Sequence, residues 1–310
     1  MSLTRRDFLA TSAAAALAGT FGRPSLLRAL QGQTPQPVFT PIRRNVGFFT
    51  MRGGTIGYLV NQGAVVVVDS QFPAEATACL NGLNERSSGR PVDFLINTHH
   101  HGDHSGGNRS FRGVAKKVVA HAKADEHMRQ PPGGQPPADQ LFPDTTFTET
   151  WSADVGDERV RARYYGRAHT SGDAVITFER ANVVHMGDLM FNQRHPVVDC
   201  PAGASLRGWM TVLERVPRDH ANDTTYIFGH ANTGLPVTGT EADLAKFRDY
   251  LGAVLAHVES QVKAGRSREE ILAMRDPLAA FESYGRFGEP RGRDPISCAY
   301  EELTASGGTR

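Results

Sequence analysis

Hydrophobic and polar residues fall into two blocks of short alternating or apolar runs, each followed by stretches of helical periodicity. In the first block, residues 45–51, 55–60 and 64–69 are rich in β-branched and aromatic side chains. Gly53-Gly54 and Asn61-Gln62-Gly63 between them read as hairpin turns, so the segment predicts a strand meander. Residues 73–86 set Ala76, Leu80 and Leu83 at helical spacing behind Pro73 and stop at Ser87-Ser88-Gly89. The run 92–97 then predicts a buried strand, 117–121 another and 122–129 a helix, while the prolines of 130–144 predict a loop. The second block predicts strands over 145–151, 160–165, 174–179 and 182–186, a helix over 206–216 and a short strand over 225–228. A long amphipathic helix over 241–264 follows, with a shorter one over 267–274 that opens on the capping pair Ser267 and Glu270. Two such successions suit two packed sheets with helices outside. Residues 45–310 therefore read as one domain, and the polar, proline-spaced residues 30–44 as a linker or first edge segment leading into it.

The first 29 residues follow a different pattern. Arg5-Arg6 stands ahead of Phe8-Leu9 and an alanine-rich run to Ala18, a positive segment before a mildly apolar one. This resembles a twin-arginine export signal, cleaved after Ala18 or Ala29. The run is too short and too weakly apolar for a membrane span. With Cys79 the first cysteine, no lipid anchor is expected on the processed chain. The reading is a protein exported folded by the twin-arginine machinery to the periplasm or medium, without a membrane anchor after cleavage.

Charge sharpens this picture. The 310 residues carry 34 Lys plus Arg against 33 Asp plus Glu, and removal of residues 1–29 takes away a net +3 and leaves −2. No excess of positive charge favours a polyanion, so nucleic acid is not an expected partner. Cys79, Cys200 and Cys298 are too few for a disulfide framework or a thiolate metal site, and whether two of them pair stays open.

The chemistry gathers in the histidines. The strand at 92–97 runs into Thr98-His99-His100-His101-Gly102-Asp103-His104. Imidazoles and a carboxylate packed so closely would repel one another if protonated and gain little from packing if neutral. A metal ion resolves the conflict, and neutral imidazole nitrogens with an aspartate oxygen suit Zn²⁺. Three further candidates each follow a predicted strand: His169 in Gly166-Arg167-Ala168-His169, Asp188 in His185-Met186-Gly187-Asp188, and His230 in Phe228-Gly229-His230.

Through these residues, and over about 45–232, the chain resembles the metallo-β-lactamase superfamily, whose His-x-His-x-Asp-His motif matches His99, His101, Asp103 and His104. The resemblance implies an α/β fold, the four-layer αββα sandwich, and two zinc ions per chain. One would be held by His99, His101 and His169 and the other by Asp103, His104 and His230, with Asp188 bridging. A water shared by two such ions is acidified towards a pKa of about 7, and Asp103 would orient the metal-bound hydroxide for attack. The implied activity is zinc-dependent hydrolysis of a small ester, lactone, thioester or cyclic amide, a β-lactam included. Members that cleave β-lactams often carry another residue where this chain has Asp188, and the iron-binding relatives commonly carry glutamate where it has His101. The alternatives are a phosphodiesterase of the same fold and a non-catalytic metal-binding or sensory module.

The remaining candidates sit around that core. His195, shortly after Asp188, is expected at the pocket rim as a substrate contact or acid, with Arg194 beside it as a carboxylate contact. Thr98 and Asp173 are expected to brace ligating imidazoles, and the 130–144 loop to form part of the rim. His100, between two ligands, is expected to face away from them. His121, His127, His185, His220 and His257 read as surface or core residues. The sequence leaves oligomeric state open.

Overall fold

Four consecutive valines, Val65–Val68, form a strand buried on both faces. Val66 and Val68 enter one hydrophobic core, and Val65 and Val67 enter another. Successive side chains of a strand point to opposite faces, so an apolar run without alternation marks a strand covered on both sides. This strand lies at the centre of the first of two sheets in a computed structural model that describes residues 36–131, 134–288 and 292–305. The proposed export signal, residues 1–29, lies outside the described residues.

The first sheet contains β1 (Val38–Arg43), β2 (Val46–Thr50), β3 (Ile56–Val60), β4 (Val65–Val68), β5 (Val92–Asn97), β6 (Ala115–His121) and β7 (Thr145–Phe147), in that spatial order. Its first four strands pair antiparallel and β4 to β7 pair parallel. The second sheet contains β8 (Thr150–Val155), β9 (Glu158–Tyr164), β10 (Ala174–Phe178), β11 (Val183–His185), β13 (Thr225–Ile227) and β15 (Thr238–Gly239), in the order β15-β13-β11-β10-β9-β8. It is mixed as well, parallel between β11 and β13. A short parallel pair, β12 (Phe191–Asn192) with β14 (His230–Ala231), stands apart from both.

Three hydrophobic cores stack between these layers. The inner faces of the two sheets meet through Leu59, Val66, Val68, Ile96 and Val119 from one, and Val160, Ala162, Ile176, Phe178 and Ile227 from the other. Outside the first sheet, α1 (Pro73–Ser87) lays Ala76, Cys79 and Leu83 over Val65, Val67 and Leu95. The motif forms the one-turn helix α2 (Gly102–Ser105), and α3 (Ala122–Arg129) follows β6. Outside the second sheet, α4 (Leu206–Arg218), α5 (Glu241–Lys263), α6 (Arg268–Leu272) and α7 (Pro295–Ala305) share a core built on Trp209, Phe247 and Tyr250. The result is the four-layer helix, sheet, sheet, helix arrangement, with two mixed sheets flanked by helices.

Three details depart from the sequence reading. The single strand expected over 145–151 is two strands, β7 and β8, in different sheets, because the chain crosses from one sheet to the other between Phe147 and Thr150. Residues 38–43, assigned to the linker, are edge strand β1, so the edge-segment reading applies to them. Helix α7 was not anticipated, and its Cys298 is joined to Cys200. Among the described residues no helix is long and apolar enough to cross a membrane.

Candidate metal centre

Strand ends at one edge of both sheets deliver the site. β4 stops at Asp69, a fully buried residue at φ 65°, whose carboxylate accepts hydrogen bonds from Thr98 N and Thr98 Oγ1, both at 2.7 Å. That anchors the turn leaving β5. His101 then caps α2, its carbonyl accepting from His104 N at 3.0 Å and Ser105 N at 2.9 Å. Ser70 N donates to His104 O at 2.7 Å. Two glycines make room for the side chains: a Cβ at Gly54 would fall on the His104 ring, and one at Gly229 on Asp188 Oδ1.

These constraints bring together seven of the residues singled out in the sequence. His99, His101, His169 and Asp188 form one group able to hold a metal ion, and Asp103, His104 and His230 form another, the ligand atoms of each lying within 4.8 Å of one another. In the first, His101 Nδ1 is 2.9 Å from His169 Nε2, and Asp188 Oδ2 lies 3.5 Å from His169 Nε2 and 3.8 Å from His99 Nε2. In the second, His230 Nε2 is 3.1 Å from Asp103 Oδ2 and 3.4 Å from His104 Nε2. Asp188 reaches this group with its other oxygen, Oδ1, 2.9 Å from His104 Nε2 and 3.3 Å from His230 Nε2. One carboxylate thus faces both groups, one oxygen to each.

The surrounding hydrogen bonds fix which imidazole nitrogens face inward. His169 Nδ1 donates to Val197 O at 2.8 Å, His101 Nε2 to Asp199 Oδ2 at 2.8 Å and His104 Nδ1 to Asp69 Oδ2 at 2.8 Å. Thr98 Oγ1 gives its own proton to Asp69 and accepts from His99 Nδ1 at 3.0 Å. Each remaining nitrogen therefore presents a lone pair to the centre, the outer support that ligating imidazoles need. His99 Nε2 and Asp188 Oδ1 are buried without a hydrogen-bond partner. Convergent, unpaired lone pairs away from water are costly unless a cation occupies the space between them. The residues present fit a metal ion.

Electrostatics leads to the same point. Burial, with His104 adding to it, holds His99 well below the usual imidazole range, and burial with His101 pushes His169 down to about 3. Both are neutral donors at ordinary pH. Burial would also lower His104, but Asp188, Asp103 and Asp69 around it outweigh that and raise it well above its ordinary value. Burial would raise Asp103, yet His104 and His230 bring it down to about 2. The pocket is thus a concentration of negative charge that demands a cation, either a proton on His104 or a metal ion in its place.

Other candidates are placed differently. His195 joins neither group: Tyr250 Oη lies 2.6 Å from its Nδ1, its Nε2 donates to Gly285 O at 3.2 Å, and its ring stacks on Phe287. With Val197, Phe287 and Arg293 it lines a cavity of about 410 Å³. Arg194 is exposed. His100 points away from the first group, its Nε2 3.4 Å from Asp199 Oδ2 and its ring beside His127. Thr98 supports His99 directly, whereas Asp173 accepts from Thr170 N and Thr170 Oγ1, both at 2.7 Å, and so steadies the turn after His169. The end of the proline-rich loop is tied behind α2, with Gln140 Nε2 donating to Ser105 O at 3.0 Å. Sequence reading missed Asp69 and Asp199. Asp69 had a signal, an acid closing a four-valine buried strand, while Asp199 sits in an irregular segment that had none.

Comparison with known proteins agrees with this geometry. The model of the metallo-beta-lactamase superfamily matches residues 50–230. A metallo-beta-lactamase type 2 of Elizabethkingia meningoseptica is 23% identical over 66% of this chain and 82% of its own length. A hydroxyacylglutathione hydrolase of Methylococcus capsulatus is 31% identical over 43% of this chain, and the match spans 47% of that relative. Among solved structures, a metallo-beta-lactamase from Pontibacter korlensis superposes with a TM-score of 0.56 at 19% identity, over 69% of this chain and 98% of that one.

Proposed function

The chain belongs to the metallo-beta-lactamase superfamily and is a zinc-dependent hydrolase, and from that premise we propose that it holds two zinc ions and cleaves a small ester, lactone, thioester or cyclic amide. The observation that carries the two-ion reading is Asp188, with one oxygen turned to each group of ligands. A carboxylate in that position would offset part of the charge of a cation in each group. When bound, zinc supplies Lewis-acid polarisation of the substrate oxygen and acidification of water.

The chain's own residues set up the rest. Asp103 is the most exposed ligand side chain, at 29%, whereas His99, His104, His169 and Asp188 are almost completely covered. Substrate therefore enters from the Asp103 side. Asp103, held ionised beside His104 and His230, is the group placed to orient the attacking oxygen by accepting its hydrogen bond. His99, His104 and His169 close the floor and exclude water from below. A metallo-beta-lactamase and a hydroxyacylglutathione hydrolase among the relatives support a carbonyl substrate, while a 2,4-dinitroanisole O-demethylase subunit alpha among them shows that the names are not confined to that class.

Export to an oxidising compartment is part of the same proposal. The pairing of Cys200 with Cys298 supports it, since stable disulfides belong chiefly to such compartments. The decisive test is a panel assay of the zinc-loaded protein against an aryl ester, a homoserine lactone, a thioester, a chromogenic cephalosporin and a bis-aryl phosphodiester, with bound zinc counted in parallel. Turnover of a carbonyl substrate with about two zinc ions per chain is expected. Turnover confined to the phosphodiester would reject the substrate class, and a well-folded preparation that takes up no zinc would reject the reading.

A further inference from the structure

The superfamily match ends at residue 230, yet the chain beyond it reaches the residues that support the ligands. Residues 197–199 hold two imidazoles of the first group. Val197 O accepts from His169 Nδ1 at 2.8 Å, Asp199 N donates to His169 O at 3.1 Å, and Asp199 Oδ2 accepts from His101 Nε2 at 2.8 Å. Asp199 is fully buried. The segment 292–305 in turn holds these three residues from outside. Val198 N donates to Arg293 O at 2.9 Å, Arg293 Nε lies 3.3 Å from Asp199 Oδ1, and Cys200 is joined to Cys298 on α7.

His101 differs from its neighbours in presenting Nδ1 to the first group, so its proton must sit on Nε2 and its ring must be held from that side. Asp199 is the group in contact with that nitrogen. The second group is supported by Asp69, which accepts from His104 Nδ1 at 2.8 Å and, through Thr98, also braces His99. We propose that Asp199 is the positioning residue of the first metal site, and that residues 292–305 clamp it in place through Arg293 and the Cys200–Cys298 bridge. This rests on the reading of the first group as a metal site. Its consequence is that the affinity of one metal site, and not of the other, is governed by chain outside the shared superfamily region.

The test is chelator competition for zinc on the full chain, resolving two binding steps, together with the absorption of the cobalt-substituted protein. Asp199→Asn keeps the shape but leaves one accepting atom where His101 and Arg293 each need one and removes the negative charge, and it is expected to weaken one step by about 10–100-fold while the other stays within about twofold. Arg293→Gln, at a partly exposed side chain, and the Cys200→Ser/Cys298→Ser double variant are expected to weaken the same step by a smaller factor without emptying the buried Asp199 position. Asp69→Asn is expected to weaken the other step through His104 and, through Thr98 and His99, to reach the first step as well. Unchanged binding in Asp199→Asn, or an equal loss at both steps accompanied by a lowered melting temperature, would overturn the positioning role. Unchanged binding in both the Arg293 and the cysteine variants would overturn the clamp. Absence of zinc from the wild-type chain would instead remove the reading on which the proposal rests.

Discussion

Asp69 lies beneath His104, joined to it by a 2.8 Å hydrogen bond from Nδ1 to Oδ2, while the same carboxylate holds the backbone and hydroxyl of Thr98. A single buried acid at φ 65° thus sets the turn that carries the motif and the tautomer of one of its ligands. In Asp69→Asn only one side-chain atom can accept, so the amide cannot serve Thr98 N and His104 Nδ1 together, and the turn or the His104 ring loses its hold. Metal affinity is expected to fall by about 10–100-fold, with kcat/KM falling in step at limiting zinc. Chelator competition measures it, and wild-type affinity in the variant would contradict the assignment.

Removal of metal should cost stability as well as activity. His99 Nε2 and Asp188 Oδ1 are buried without a hydrogen-bond partner, and without a cation their desolvation is uncompensated. Zinc at 100 times its dissociation constant is expected to stabilise the fold by about 2.7 kcal/mol per site. Calorimetric melting with and without a chelator reads this directly; a melting temperature that ignores zinc would count against both sites.

Two glycines near the motif should respond in opposite ways. A Cβ at Gly54 falls on the His104 ring, whereas one at Gly102 meets nothing within 4 Å. Gly54→Ala is expected to destabilise by about 1–3 kcal/mol and to lose metal from the second group. Gly102→Ala should fold and load zinc like the wild type. Paired melting and metal analysis decide the matter, and equal behaviour of the two variants would refute the packing argument.

His185 supplies a pH test outside the ligand set. It is fully buried, its Nε2 donating to Thr55 O at 3.0 Å and its Nδ1 accepting from Gly187 N at 3.1 Å, so only the neutral ring fits. Burial pushes it down to about 4 from the ordinary 6.5. Between these values the unfolded chain binds the proton and the folded chain does not. The contribution is therefore complete above about pH 6.5, declines as pH falls, and is lost below about pH 4, for a total of roughly 3 kcal/mol. Urea unfolding of metal-free protein at several pH values should show a shallower acid limb in His185→Gln. Superimposable limbs would show that His185 does not contribute.

Much of the layer order was legible because periodicity reports burial. The valine run of β4 and the apolar run of β5 read as strands from composition alone, and the ligands follow strand ends. The motif histidines were legible because their chemistry is costly in any other setting. What stayed hidden depended on long-range contacts. The break between Phe147 and Thr150 leaves no trace in local propensity, since both halves are β-formers and only tertiary pairing assigns them to different sheets. Asp199 meets His101 and Arg293 across 98 and 94 residues of sequence, and no local spacing announces such a meeting. His195 follows Asp188 closely, yet Tyr250 and Gly285 take up its ring nitrogens because the segment turns towards the C-terminal helices.

The ligands come from both sheets, His99 to His104 after β5 of one, and His169, Asp188 and His230 after β9, β11 and β13 of the other. A metal ion at this edge acts as a rivet through the sandwich. Ligands drawn from both sheets mean that an ion held there would tie the two layers together, so its removal should loosen the contact between them. Amide exchange at Val66 and Val67 should then be slower in the zinc-loaded protein than after chelation, and equal exchange would count against the tie.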